Sequence, residues 1–251
     1  MMNSKTDLET KAGTAHKSPP LSVLAIVYLL LFVAAQVANN LMTSGAQNQN
    51  PYNPIEQLQT YYTQSTDGMR ISGFFVFASM MPLGLFTATV VSRLLFHRVE
   101  AAGVHIAFFG GMAASVFIGL SGLSGWALSQ PGVATDVGAM RVAQLLGFAT
   151  GGFAHIAALG LLMAGVSVPC LFAGLTPKWV AWLGLILAAI CELSVLSVVF
   201  PQLSVLLPVA RLTSFIWLIV VGFTLPKHRR DFSRPHLAVR TVQDRTSPTA
   251  A

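Results

Sequence analysis

The fold class is decided by residues 179–225, which read WVAWLGLILAAICELSVLSVVFPQLSVLLPVARLTSFIWLIVVGFTL. Pro201 and Pro208 separate two apolar segments here, and each segment carries one charge, Glu192 in the first and Arg211 in the second. An ionisable side chain at membrane depth loses its water and needs a partner, so it marks a pairing or binding site. The stretch therefore predicts a helical hairpin in a membrane with one charged group on each arm.

The composition of the whole chain excludes a soluble domain. Hydrophobic residues make up 54% and charged residues 10% of the 251 positions, whereas charged residues are about 25% of typical soluble domains. The net charge of +6 would suit nucleic acid, but most Lys and Arg residues lie in the two tails and in short loops between apolar runs. That distribution is typical of membrane orientation, so we expect the lipid bilayer and not nucleic acid as the partner.

Six apolar runs predict an all-α, polytopic transmembrane bundle of six helices, because about 20 helical residues cross the hydrocarbon core of a bilayer. A cleaved signal peptide is the alternative for the first run. The fourth run is longer than a perpendicular span requires, so we expect tilt or a break near Pro169. The spans are expected at about 21–42, 71–96, 104–128, 142–170, 179–200 and 205–225, with a disordered tail at 1–20, an outer loop at 44–69 and a basic tail at 226–251.

The positive charges predict that both termini are cytoplasmic. Lys and Arg concentrate in the cytoplasmic segments of membrane proteins. With both tails inside, only Arg70, Arg141 and Arg211 lie on the outer half. The other 12 of the 15 lie on the cytoplasmic side: Lys5, Lys11, Lys17, Arg93, Arg98, Lys178, Lys227, Arg229, Arg230, Arg234, Arg240 and Arg245.

The outer loop contains a signal for a short amphipathic helix. Asn53, Pro54 and Glu56 match an N-cap, a first-turn proline and a capping-box acid. Apolar and aromatic side chains follow on one face of this helix, which predicts either a lid over an outward cavity or an interfacial anchor. These side chains are Ile55, Leu58, Tyr61 and Tyr62.

Small residues recur at four-residue spacing in the third and fourth spans. Gly111, Ser115 and Gly119 form a stripe in the third span, and Gly147 and Gly151 repeat the spacing in the fourth. Such stripes let helix backbones approach closely, so we expect these two spans to pack as a tight pair.

The three outer arginines, Arg70, Arg141 and Arg211, are spaced by 71 and 70 residues. The spacing suggests three repeated helical hairpins, with coincidence as the alternative. Each arginine has a candidate acid: Asp67, Asp136 and Glu192 respectively.

Helical rise places Glu192 and Arg211 at a similar depth, so the two side chains are expected to meet. Polar side chains in membrane helices normally turn inward. We therefore predict an outward-facing polar pocket bounded by spans one, four, five and six that binds or transports a small polar molecule. The alternative is a structural or sensory membrane protein whose polar residues only fix helix packing. The pocket residues are expected to be Glu192, Arg211, Arg141, Gln36, Asn39, Asn40 and Gln144.

Signatures of catalysis and of cofactor binding are absent from the sequence. No HExxH, GxSxG, Walker or dinucleotide motif occurs, so we expect no catalytic residue, no metal and no cofactor. His105 and His155 raise the alternative of axial haem ligands, but a depth mismatch of roughly 10 Å by helical rise argues against it. The basic run after the last span is a stop signal and a candidate contact for anionic lipid.

The segment from Pro177 to Gly184, PKWVAWLG, and the apolar face of the sixth span, with Phe215, Trp217 and Val221, resemble a bacterial family of six-helix integral membrane proteins described only as a domain of unknown function. That family often carries Glu just before its last apolar run, where this chain has Arg211. The resemblance implies a six-helix fold and a multi-pass location in the bacterial inner (plasma) membrane, and it implies no activity.

Overall fold

A computed structural model of the chain describes residues 16–42 and 52–228, and these residues form helices and no β-strand. Six helical segments in these ranges are long and apolar enough to cross a membrane, which confirms the all-α prediction and its six long apolar helices. The predicted tail at residues 1–15, the loop residues 43–51 and the basic run from residue 229 onward lie outside the described residues. The six segments are Leu21–Met42, Thr66–Phe96, Ala102–Leu128, Val137–Ala173, Lys178–Val198 and Pro201–Thr224.

Two short 3₁₀ turns and one π-helical turn interrupt the regular helices. The 3₁₀ turns, Val195–Val198 and Pro201–Val205, join the last two helices, and the π turn, Thr150–Ala154, joins α5 to α6. The α-helices of the described chain are α1 (Leu21–Met42), α2 (Ile55–Gln64), α3 (Thr66–Phe96), α4 (Ala102–Leu128), α5 (Val137–Ala149), α6 (His155–Ala173), α7 (Lys178–Ser194) and α8 (Leu206–Thr224).

The expected break near Pro169 is absent, because α6 continues through this proline to Ala173. Gly174 then adopts a left-handed conformation with φ 61° and ends the helix. The irregularity lies earlier, at the π turn, whose sequence TGGFA contains two adjacent glycines. Such turns insert one extra residue into a helix and rotate everything that follows.

The long helices pack in chain order around a ring that closes between α8 and α1. One end of the bundle carries residues 16–20 and 225–228, and we call it the termini end. The opposite end carries α2 and the loop between α4 and α5, and we call it the distal end. Aromatic contacts seal the ring, with the Phe215 ring centroid 4.8 Å from that of Tyr28 and 5.2 Å from that of Phe32.

The small-residue stripe of α4 packs on a different neighbour from the one expected. A Cβ at Gly111 would clash with Thr87 of α3, and the Ser115 hydroxyl donates to the Met80 carbonyl at 2.7 Å. The stripe therefore brings α4 against α3. The α4 and α6 helices do approach closely, but through another pair of glycines, Gly110 and Gly165. The helix pair is confirmed, and Gly147 and Gly151 of the fourth span do pack on α4, against Ser124 and Ser121. Only the stripe of the third span was assigned to the wrong neighbour, because that span has small residues on two faces.

A buried arginine holds the two terminal segments together at the termini end. Arg93 of α3 is fully buried, and its guanidinium donates to the Ser18 hydroxyl at 3.2 Å, the Pro19 carbonyl at 3.1 Å and the Leu225 carbonyl at 3.4 Å. Backbone contact continues outward, where the His16 amide donates to the Lys227 carbonyl at 2.9 Å. One side chain thus fixes the start of α1 and the end of α8 against α3.

Candidate functional site

The short helix α2 covers the distal end of the bundle. Leu58, Tyr61 and Tyr62 are buried, as the amphipathic pattern predicts, whereas Ile55 is 42% exposed. Asn39 of α1 donates its amide to the Tyr61 hydroxyl at 3.0 Å, which fixes α2 to the first long helix. The buried face of α2 belongs to a separate apolar cluster with Leu128, Ala134 and Met140.

A cavity of about 220 Å³ lies beneath α2 and between α3, α4 and α5. This volume corresponds to roughly seven water molecules at about 30 Å³ each. Four glycines lie on its wall, where they let the neighbouring helices approach closely, and most of the remaining wall is apolar. The lining residues are Tyr62, Met69, Ser72, Gly73, Val76, Ser121, Gly122, Gly125, Leu128, Ala143, Gln144, Gly147 and Phe148.

Gln144 is the polar side chain that distinguishes this cavity. It is only 5% exposed, and its Oε1 accepts a hydrogen bond of 3.0 Å from Arg141 Nη1. Its Nε2 is buried and has no hydrogen-bond partner among residues 16–42 and 52–228. A buried amide donor without an acceptor costs about 1–3 kcal/mol, so this group is a strong site for an acceptor atom brought by a ligand.

The geometry of Arg141 and Gln144 sets which end of the amide faces the cavity. They are three residues apart on one helix, so their side chains lie on adjacent turns of the same face. The cationic donor occupies the amide oxygen and leaves the N–H groups for another partner. The second amide orientation would place an N–H group against a guanidinium, which has no acceptor.

Tyr62 contributes a second polar group to the wall. Burial raises the pKa of Tyr62 to about 12, the neighbouring Tyr61 also raises it, and Gln144 and Arg141 lower it. The Tyr62 hydroxyl therefore lies near the Gln144 amide, although no hydrogen bond of ordinary geometry forms on Gln144 Nε2. At neutral pH the phenol is an uncharged O–H group facing the same space.

The charges around the cavity favour ligands that carry acceptor oxygens. None of the described residues that line the cavity is acidic, and the cationic Arg141 lies one turn from Gln144. Amide N–H and phenol O–H groups bind carbonyl or carboxylate oxygens, whereas an amine or a metal cation would face donors and a like charge. The site suits a neutral or anionic molecule with one compact acceptor group.

The structure does not bring Glu192 and Arg211 together, and the predicted pairing is wrong. Glu192 is exposed on α7, with its carboxylate over Gly160 of α6. Arg211 turns to the opposite side of the hairpin, where it donates to the Gly151 carbonyl of the π turn and lies 5.1 Å from the centre of the Phe32 ring. The two charges were expected at a similar depth, but their charged groups contact Gly160 and Gly151, which lie at different levels of the fourth span.

A polar chain next to Arg211 links three long helices. The Tyr28 hydroxyl donates to His155 Nε2 at 2.9 Å, and His155 Nδ1 lies 2.8 Å from the Ala114 carbonyl. A carbonyl only accepts, so Nδ1 carries the proton and Nε2 is the acceptor. Both nitrogens of His155 are occupied by protein groups, which makes this buried histidine a connector between α1, α4 and α6.

The remaining predicted pocket residues lie apart from the cavity. Gln36 and Asn40 are exposed on α1, and Asn39 bonds to Tyr61. Asp136, the expected partner of Arg141, is the N-cap of α5 and accepts from the Ala139 amide at 2.9 Å. Of the seven predicted residues, only Gln144 lines the cavity, and Arg141 contacts it through Gln144. The pocket bounded by spans one, four, five and six is therefore replaced by one beneath α2 between α3, α4 and α5.

The cavity also contains residues that sequence reasoning did not assign to a site. Ser72 and Ser121 belong to apolar runs, where a lone serine has no distinguishing pattern. Tyr62 was found only as part of the apolar face of α2. The sequence pattern that could have assigned Tyr62 to a site is the amphipathic face of α2. If α2 is a lid, its buried aromatic residues lie at the mouth of the cavity that it covers.

Neither metal ligands nor similar proteins assign a further role to this site. Within residues 16–42 and 52–228, no group of three or more His, Cys, Asp or Glu side chains is placed to hold a metal ion. The two cysteines, Cys170 and Cys191, are buried and free. Comparison with protein-family models, with curated proteins and with solved structures finds no match to this chain.

Proposed function

We propose that this chain is a multi-pass membrane protein that binds a small molecule through an acceptor oxygen in the cavity beneath α2. The observation that carries the proposal is the buried Nε2 of Gln144 on the cavity wall, which has no hydrogen-bond partner in the described part of the chain. Arg141 fixes the orientation of the Gln144 amide, the Tyr62 hydroxyl is the second hydrogen-bond donor, and α2 acts as the lid. The ligand is a carbonyl or carboxylate compound small enough for about 220 Å³.

We further propose that both termini face the cytoplasm, so that the cavity opens on the outer side of the plasma membrane. The positive-inside distribution of Lys and Arg supports this orientation. Cysteine labelling tests it, because Thr60 and Glu100 are exposed at opposite ends of the bundle and the native cysteines are buried. In intact cells, a membrane-impermeant maleimide should label Thr60→Cys and spare Glu100→Cys. The reverse pattern would invert the proposed orientation.

Three small probes of similar shape test the binding proposal. Benzamide carries a neutral acceptor oxygen, benzoate an anionic one, and benzylamine a cation without an acceptor. The acceptor probes should raise the unfolding temperature of the purified protein, since a ligand that binds only the folded state stabilises it by mass action, by about 2.7 kcal/mol at one hundred times its Kd. Benzylamine should leave the unfolding temperature unchanged. Equal shifts with all three probes, or none with the acceptors, would contradict the proposal.

Variants of Gln144 give the residue-level control for this measurement. Gln144→Leu removes both amide donors, and we expect the shift with benzamide and benzoate to disappear. Gln36→Leu removes a glutamine that is exposed on α1, outside the cavity, so the shift should persist. Glu192→Gln should also leave the shift unchanged, because the carboxylate lies over Gly160 and does not line the cavity.

A structural role is the better proposal for the polar residues near the middle of the bundle. Tyr28 and His155 form a hydrogen bond with each other, and His155 forms a second one with the Ala114 carbonyl. Arg211 donates to the Gly151 carbonyl in the π turn. Polar bonds between membrane helices fix their packing. The alternative of a purely structural or sensory protein therefore applies to this layer, and the ligand proposal applies to the cavity at the distal end.

A further inference from the structure

The lid helix α2 is fastened to the bundle by a small buried face. Leu58, Tyr61 and Tyr62 are its buried side chains, and they pack in the small apolar cluster at the distal end and not in the main core. The other side chains of α2 are exposed or half-buried. Segments with few buried apolar contacts open at a lower free energy than the core does. The packing therefore allows α2 to lift from the distal end while the long helices stay together.

One residue joins α2 to the long helix α3. The first helix ends at Gln64 and the second begins at Thr66, so Ser65 separates them, with φ −110° and ψ 21°. The Ser65 hydroxyl is buried and has no hydrogen-bond partner in the described ranges. The Ser65 carbonyl accepts from the Met69 amide at 2.9 Å, which secures the first turn of α3. A change in the backbone angles of this small residue would redirect α2 alone, which makes Ser65 a hinge position.

Side-chain hydrogen bonds hold α2 closed. Asn39 Nδ2 donates to the Tyr61 hydroxyl at 3.0 Å, and that hydroxyl donates back to Asn39 Oδ1 at 3.2 Å. Both residues are buried, whereas the bond of 2.9 Å from Gln59 Nε2 to the Thr135 carbonyl is exposed. Water replaces an exposed bond when it opens, but opening a buried pair leaves polar groups without partners. We therefore call the Asn39–Tyr61 pair the latch.

The latch is coupled to the wall of the Gln144 cavity. Tyr61 and Tyr62 are consecutive residues, and their ring centroids lie 5.1 Å apart with the ring planes at 74°. Tyr62 lines the cavity together with Gln144. Because both tyrosines belong to one short helix, release of Tyr61 from Asn39 moves Tyr62 away from the cavity.

We propose that α2 is a gate that turns about Ser65, and that the latch sets the rate at which a ligand enters and leaves the Gln144 cavity. This inference rests on the proposed function and adds how access to its site is controlled. Neither Asn39 nor Tyr61 lines the cavity, so the latch acts alike on the empty and the occupied protein. Weakening the latch should therefore raise the association and dissociation rates together and leave Kd unchanged.

Thiol labelling beneath the lid tests the gate without a ligand. Ser72 lines the cavity, so Ser72→Cys places a thiol there, while the native cysteines are buried. Tyr61→Phe removes the latch hydroxyl and keeps the ring. Methyl methanethiosulfonate should then modify Ser72→Cys about tenfold faster, the size expected when a buried hydrogen bond is lost. Thr63→Val is the matched control and should leave the rate unchanged, because the Thr63 hydroxyl donates to carbonyls within α2 itself.

Exchange of a bound probe tests the same latch with a ligand present. The probe is 4-fluorobenzoate, and fluorine NMR on the purified full-length protein gives its association rate, its dissociation rate and its Kd. Tyr61→Phe should raise both rates about tenfold at an unchanged Kd. Asn39→Leu should have the same effect, and the double variant should be no faster than either single variant, because both substitutions break the same contact.

Equal labelling of Ser72→Cys with and without Tyr61→Phe would overturn the gate, and so would an equal acceleration by Thr63→Val. A weaker Kd at an unchanged association rate would also overturn it, because the latch would then hold the ligand and not the lid. If 4-fluorobenzoate fails to bind while Tyr61→Phe still accelerates the labelling, the proposed function is overturned and the gate over the cavity stands.

Discussion

Replacing Arg93 by Met should lower the unfolding temperature by roughly 6–12 °C, or prevent accumulation of the folded protein in the membrane. The substitution leaves the carbonyls of Pro19 and Leu225 without their donor, together with the Ser18 hydroxyl. The bond to the Leu225 carbonyl is buried, and leaving that carbonyl unsatisfied costs about 1–3 kcal/mol. The bonds to Ser18 and Pro19 are only partly buried and add less each, so the loss in unfolding free energy should be about 3 kcal/mol. Differential scanning fluorimetry of the protein in mild detergent measures it.

Arg98 supplies the matched control for the Arg93 experiment. It lies at the same end of the bundle but is exposed, so Arg98→Met removes the same charge without removing buried hydrogen bonds. Its unfolding temperature should stay within about 2 °C of the parent, as is usual for surface substitutions. Arg93→Lys should fall between the two, because an ammonium keeps the charge but replaces the planar guanidinium fork that reaches all three acceptors. Equal losses for Arg93→Met and Arg98→Met would show that charge alone matters.

Gly122→Ala should separate α3 from α4 and lower the unfolding free energy by about 1–3 kcal/mol, the cost typical of overpacking. A methyl group there would clash with the Phe77 amide nitrogen and lie 2.7 Å from the Gly73 carbonyl oxygen. Both contacts are with backbone atoms, so no side chain can turn aside and the two helices must move apart. The unfolding temperature in detergent checks the prediction.

Gly125→Ala is the control, since it adds the same methyl group one turn along the same helix. Its nearest heavy atom would be Gly73 Cα at 3.5 Å, which is ordinary van der Waals contact. We expect no loss of stability there. Alanine raises helix propensity at both positions, so equal destabilisation by the two substitutions would contradict the close contact between α3 and α4 at Gly122 as the cause.

The long helices could be predicted from the sequence because hydrocarbon depth fixes how many apolar residues a span needs. Depth gives height along the membrane normal and nothing about rotation. Helical rise predicts one height for Glu192 and Arg211, yet their charged groups contact Gly160 and Gly151 respectively, at different levels of the fourth span. The π turn adds a rotation that a regular helical wheel does not predict. Its extra residue turns the side chains of α6 by about 100° relative to a regular helix.

The candidate site could be predicted only in part, for a related reason. Gln144 was identified because an amide in an apolar run must find a partner, and Tyr62 because it belongs to an amphipathic face. Which neighbours enclose them depends on glycine contacts that occur on more than one face of α4. Arg93 was read only as an orientation charge, since its position at the end of an apolar run is typical of cytoplasmic loops.

The contact between Arg93 and the two ends of the chain has a consequence for biosynthesis. Its bonds to Ser18 and Pro19 span 75 and 74 residues and can form once the first helices have entered the membrane. Its bond to Leu225 spans 132 residues and must wait for the last helix. Until the ribosome delivers that helix, the nascent protein holds a partly satisfied cation at the membrane boundary. Completion of this one contact therefore distinguishes a finished chain from a truncated one.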